Sequence, residues 1–115
     1  MGAATKPVSH FDNFEALDIR AGKIIKVEDA ATTKPTYRLT IDFGSDIGHK
    51  VSCGAYRNYE KEALFGKTVL CVINFHPKKM GPEVSEVLVL GVPGEKGETI
   101  YLTTESEVPL GNQVF

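Results

Sequence analysis

Cysteine is scarce in this 115-residue chain, and so is any excess of charge: there are two cysteines, and 13 Lys and Arg stand against 15 Asp and Glu for a net charge of −2. Two cysteines are too few for a disulfide framework. Cys53 and Cys71 both fall inside apolar strand-like segments, where a reduced, buried thiol is the expected state. The near balance of charge excludes the general basic field of a nonspecific nucleic-acid binder, so a polyanion would have to be drawn by a local patch. Long apolar runs are lacking too. The longest, VLCVINF at 69–75 and VLVLGV at 87–92, fall far short of the ~20 residues that span a bilayer, and no membrane insertion is expected. Neither end reads as a signal or transit sequence. The three histidines, His10, His49 and His76, form no close-spaced ligand pattern with the cysteines. No phosphate-cradling Gly-rich loop opens a helix, no Gly-x-Ser-x-Gly elbow is present, and no carboxylates pair in a catalytic context. These absences predict a noncatalytic cytoplasmic protein without metal or other cofactor.

What is present suits one compact domain. At 42% hydrophobic residues the chain can close a single core. Residues 1–10 read as a flexible N-terminal segment, and residues 11–115 as one domain that includes a C-terminal extension. In FDNFEAL, Phe11, Phe14 and Leu17 recur at helical spacing, which predicts a short helix plugging one end of a barrel. From Asp18 the pattern turns to strand, with a bulge expected at Gly22-Lys23. YRLTIDFG at 37–44 alternates cleanly, with Tyr37, Leu39, Ile41 and Phe43 on one face. HKVSCGA predicts a third strand, and YRNYEKEALFGK a helix over 59–65 that ends at Gly66. KTVLCVINF, an HPKKMGPEV loop, SEVLVLGV, a PGEKGE turn and TIYLT complete the order. Both apolar strands are two-faced, so a helix, a terminal segment or a second subunit is expected to cover their outer side. Five principal strands with a helix between the third and fourth predict an all-β, OB-fold Greek-key barrel with short helices and terminal extensions; an SH3-like barrel is the alternative.

The run NFHPKKMGPEVSEVLVLG at 74–91 carries the functional signal. Loops held by a rigid sheet keep polar groups and cations at fixed separations, as contact with a folded RNA surface requires. Lys78, Lys79 and His76 form the densest cationic cluster; Arg20, Lys23 and Lys26 form a second. Each candidate has two readings. Arg20 clamps a phosphate or stacks on a base, or else pairs with Asp18 or Glu86. Lys78 and Lys79 attract phosphate or are merely solvated. Asn74, a polar residue in an apolar strand, bonds loop backbone or a base edge. Ser85 and Glu86 offer a hydroxyl and an acceptor-only carboxylate, and Glu86 accepts from a base amino group or holds Arg20 or Lys78. Met80 is a platform for an exposed base or a gap filler. Phe75 is assigned to the core.

Taken together, FEALDIRAGKIIKVEDA, KPTYRLTIDFG, NFHPKKMGPEVSEVLVLG and VPLGNQV resemble the tRNA-binding domain family, and within it the stand-alone CsaA-type members known as export-related chaperones. The resemblance implies an OB barrel whose terminal extensions build a homodimer. It also implies a binding face at Asp18, Ile19, Arg20 and Gly22, with Asn74, Pro77, Lys78, Gly81, Ser85 and Glu86. Ser52 matches in the third strand, whereas Cys53 to Tyr56 depart from the Ser-Ser-Ala-Gln or Ser-Ala-Gly-Ile type of segment that relatives usually carry. The expected partner is tRNA or a similar structured RNA, gripped through Arg20, Lys23, Ser52, Asn74, Lys78, Lys79, Met80, Ser85 and Glu86. The alternative is a chaperone that holds unfolded or export-bound polypeptides in an apolar groove.

Overall fold

In the computed structural model, which describes residues 4–115, the alternation of YRLTIDFG becomes strand β2 (Tyr37–Asp42). Leu39, Ile41 and neighbouring Phe43 are almost wholly buried, while Arg38, Thr40 and Asp42 face outward. On one side β2 pairs with β1 (Ile19–Asp29) and on the other with β3 (His49–Gly54), both antiparallel. After α2 (Lys61–Leu64), strand β4 (Thr68–Val72) returns to the far edge of β1, pairing Ile19 with Val72 and Lys23 with Thr68. The order α1 (Phe11–Glu15), β1, β2, β3, α2, β4 continues with β5 (Lys78–Met80), β6 (Glu83–Ser85), β7 (Leu88–Val89), β8 (Gly91–Pro93) and β9 (Thr99–Tyr101). The main sheet has five strands in the order β3-β2-β1-β4-β7, with β5-β6 and β8-β9 as separate hairpins. Its near closure, with a short helix between the third and fourth strands, is an OB-type barrel. No helix among the described residues is long and apolar enough to cross a membrane.

The core is formed where the inward residues of β1, β2 and β4 meet: Ile24, Leu39, Ile41, Phe43, Val69 and Cys71, with Leu64 of α2 inserted fully. Burial pushes the Cys71 thiol up to about 12, so it stays a neutral, inert group. Gly22 lies against this core and is not bulged. A Cβ there would come within 2.5 Å of Ile41 and 2.7 Å of Phe43, so only glycine lets β1 lie this close. The register shift falls three residues later, between Ile24 and Lys26, where β1 bends from its pairing with β4 toward its pairing with β2.

Two other expectations change. Helix α1 does not plug the barrel: none of its residues is buried, and Phe11 is 69% exposed. At five residues it is too short to bring a continuous apolar face across the barrel end, and its aromatics instead line an open groove with the tail residues Gln113, Val114 and Phe115. The stretch SEVLVLGV is not one strand. It changes partner twice, pairing with β5 at Ser85, with β4 at 88–89 and with β9 from Gly91.

The C-terminal extension is docked. Val114 donates to Ile19 O, Ala21 donates to Asn112 O and Gly111 donates to Ala21 O, so residues 111–114 satisfy the part of β1 that β2 leaves unpaired. Residues 4–9 carry no regular structure, and the first three residues of the expected flexible segment lie outside the described residues.

Candidate nucleic-acid interface

The segment expected to be an HPKKMGPEV loop is a β-hairpin. Lys78 pairs with Ser85, Lys79 with Val84 and Met80 with Glu83, and Gly81 at φ +62 followed by Pro82 makes the two-residue turn. Positive φ at the first turn position and proline's fixed negative φ at the second match a type II′ hairpin. Strand alternation then gives the two faces different tasks. Met80, Glu83, Ser85 and Lys78 look toward the barrel; Lys79 and Val84 look away.

Glu83 fastens the hairpin. Buried to 8% exposure, its carboxylate accepts from Ala31 N–H at 2.8 Å and from Arg38 Nη1 at 2.7 Å, and Arg38 also meets Glu28 at 3.3 Å. The Ala31 amide and then the Arg38 guanidinium hold the Glu83 carboxyl below the usual carboxylate range; the Arg38 hydrogen bond does the same for Glu28. Paired with two carboxylates, Glu83 foremost, Arg38 is raised above its ordinary value. Burial, then the Glu83 charge, raises the Cys53 thiol, which therefore remains protonated beside the hairpin.

Ser85 and Glu86 close the barrel with side chains in place of a ladder. Cys53 N–H donates to Ser85 Oγ at 3.0 Å, Val51 N–H donates to Glu86 Oε1 at 2.9 Å, and Glu86 N–H returns to Val51 O at 2.8 Å. The free edge of β3 is satisfied without a long partner strand. Neither residue reaches Arg20.

Asn74 bonds backbone, with both ends of its amide. Its Oδ1 accepts from Asp18 N–H and its Nδ2 donates to Ala16 O, each at 2.9 Å. Arg20 is held from Nε by Asp18 Oδ1 at 2.5 Å and donates from Nη1 to Gly111 O at 3.0 Å. It lines a second groove, between 43–47 and 110–112, apart from the hairpin. Ser52 is 3% exposed inside the β2–β3 pair, which withdraws its hydroxyl from any surface contact. Lys23 is exposed on β1, outside the hairpin groove.

The structure thus brings together Lys78, Met80, Ser85 and Glu86 around a groove of about 340 Å³, together with His76 of the expected cationic cluster, and adds Phe75, expected in the core, and Leu88. Phe75, assigned to the core by its apolar run, is 48% exposed, because β4 ends at Val72 and the Asn74 anchor turns the chain outward. The signal that marks it is its place between that asparagine and His76-Pro77. On the other side of the hairpin tip, Met80, Gly81 and Pro82 face Ala31–Lys34 and Gly54-Ala55 across a larger cavity of about 620 Å³. An OB barrel uses these same two loops, β1–β2 and the one after β4, to flank its oligonucleotide face.

Comparison with known proteins agrees with the fold. The chaperone CsaA of Bacillus anthracis superimposes with a TM-score of 0.89 at 35% identity, covering 95% of this chain and 100% of that one. CsaA of Picrophilus torridus gives 0.88 at 38% identity, covering 94% and 100%. A methionine–tRNA ligase of Chlorobium phaeovibrioides is 32% identical over 109 residues, and the chain spans only 15% of that relative's length. The family described as "Putative tRNA binding domain" matches residues 19–113, and with it the barrel, the closing hairpin and the docked tail; the chain belongs to this tRNA-binding domain family.

Proposed function

We propose that the protein is a noncatalytic, cytoplasmic homodimer that binds tRNA or a similar structured RNA with the 75–88 groove and the hairpin that walls it. The observation that supports this most is the groove itself. A hairpin pinned to a rigid barrel by Glu83 holds one cation, Lys78, in the same groove as a half-exposed aromatic and a second, Lys79, on its outer face. On an acidic chain this is the local patch that phosphate attraction needs. Lys78 and Lys79 engage phosphates, Met80, Ser85 and Glu86 border the bases, and Lys23 extends the cationic track along β1. Arg20 and Asn74 act as positioning residues, since their polar atoms are engaged with Asp18, Gly111 and Ala16. Ser52 contributes packing.

Exchanging both lysines for alanine tests the assignment. Titrations of bulk tRNA at several salt concentrations should give weaker binding and a shallower log–log salt slope, by about 1.5 for two lost phosphate contacts. An unchanged slope would remove Lys78 and Lys79 from the interface.

A second reading is favoured by the exposed apolar side chains Phe75, Val84, Leu88 and Val92 and by the two CsaA chaperones to which the chain is similar. In it, the same groove holds apolar segments of unfolded or export-bound polypeptides. Suppression of aggregation by the purified protein, with and without tRNA as competitor, separates the two. Competition would mean one shared face.

A further inference from the structure

We infer that the 75–88 groove is a subsite for a single unpaired guanine, turned out of an RNA loop and read by Glu86. The inference rests on the RNA-binding reading above and names what occupies its centre. The groove's walls are apolar and open: Phe75 is 48% exposed and Leu88 49%, with Met80 between hairpin and barrel. A nucleobase is a flat apolar plate with a polar rim, and RNA readers take unpaired bases onto aromatic side chains while bonding their edges. At about 340 Å³ the groove is at the small end of ligand sites, room for one nucleotide and not for a helix.

Polar groups around it select the base. Lys78, at the rim, meets the flanking phosphate. Glu86 is fixed in place because its Oε1 accepts from Val51 N–H at 2.9 Å. An ionised carboxylate has about four acceptor sites, and Glu86 lines the groove, so the sites that Val51 does not use can serve a ligand there as acceptors only. Guanine alone among the four bases presents two adjacent N–H donors, at N1 and N2, on one edge. Adenine and cytosine set an acceptor nitrogen beside the amino group, and uracil sets carbonyls on both sides of its single N–H; each would turn lone pairs against the carboxylate. Ser85 Oγ is committed to Cys53 N–H and Val87 O, so it does not blur that choice.

The experiment uses the full chain, bulk tRNA and one RNA hairpin whose loop carries a single unpaired guanosine, remade with inosine, adenosine or uridine there. The wild type should favour guanosine by about tenfold, with inosine falling back for want of the N2 amino group. Phe75→Ala, at an exposed side chain, should weaken binding of all four hairpins about tenfold. Glu86→Gln keeps a carbonyl for Val51 N–H but replaces acceptors with an amide donor, and should erase the guanosine preference. If the wild type binds tRNA yet treats the four hairpins alike, or if both variants match it, the subsite is overturned and the tRNA reading survives. Should Phe75→Ala impair only capture of unfolded polypeptide, the groove belongs to that partner. Failure of the wild type to bind tRNA at all would overturn the reading beneath.

Discussion

Asn74 shows how a single amide decides where the surface begins. It donates to Ala16 O and accepts from Asp18 N–H, so one side chain ties the turn after α1 to the chain leaving β4 and throws Phe75 outward. Replacing it with alanine should cost about 1–2 kcal/mol in chemical denaturation, since two hydrogen bonds are lost. Asn74→Asp keeps only the acceptor and should recover part of that loss. Arg20 is bound into the same junction through Asp18 and Gly111; its sequence neighbourhood named Asp18 as a partner, but nothing local in sequence points to a carbonyl 91 residues away. At the hairpin, Glu83 carries a pH consequence. Its folded-state carboxyl sits below the ordinary 4.5, so between the two values the unfolded chain binds more protons than the folded one. Stability from this contact is present above about 4.5 and lost as pH falls through the lower folded value. Thermal melts from pH 7 to 3 should show a steeper acid loss for the wild type than for Glu83→Gln, which is already weakened at neutral pH.

At the scale of elements, legibility followed the number of residues that share a pattern. Strand β2 was plain because four inward residues, Tyr37, Leu39, Ile41 and Phe43, repeat at period two against one core. The β5–β6 hairpin was hidden because each of its strands has three residues and only Glu83 among them is buried. Its one local sign is Gly81-Pro82 flanked by residues that alternate, and that sign states a turn without stating what the turn packs on. The residues that line the hairpin groove stand together in the 74–91 run, whereas their division of labour is not written there: which of them contact solvent and which replace a β-ladder depends on the free edge of β3. Gly81 tests the hairpin as a unit. At φ +62, alanine there should destabilise by more than about 1 kcal/mol locally. Faster amide exchange at Met80 and Glu83, the pair that closes the turn, and a weaker grip on tRNA should follow, although no cation has been removed. Unchanged exchange would mean that Glu83 and Ser85 hold the hairpin without its turn.

For the whole molecule, the apolar surface left over by the fold is not evenly spread. Phe11, Phe14, Leu17, Val114 and Phe115 gather at the place where α1 meets the docked tail, and Phe11 and Phe115 are 69% and 107% exposed. Phe11 and Phe14 stack with ring centroids 5.8 Å apart, a paired aromatic surface that the protomer itself does not cover. Such a patch at both terminal segments suits the homodimer proposed above, in which two barrels present two copies of the hairpin groove to one RNA. Because these side chains are outside the core, a Phe11→Ser, Phe14→Ser double variant should keep the melting temperature of an isolated protomer. Sedimentation at low protein concentration should show that variant as a monomer where the wild type is a dimer. Loss of the second groove should then lower tRNA affinity by tenfold or more through lost effective concentration, with the salt slope per protomer unchanged. If the variant sediments like the wild type, the patch is not the dimer seam, and the two-groove grip has to be built on another surface.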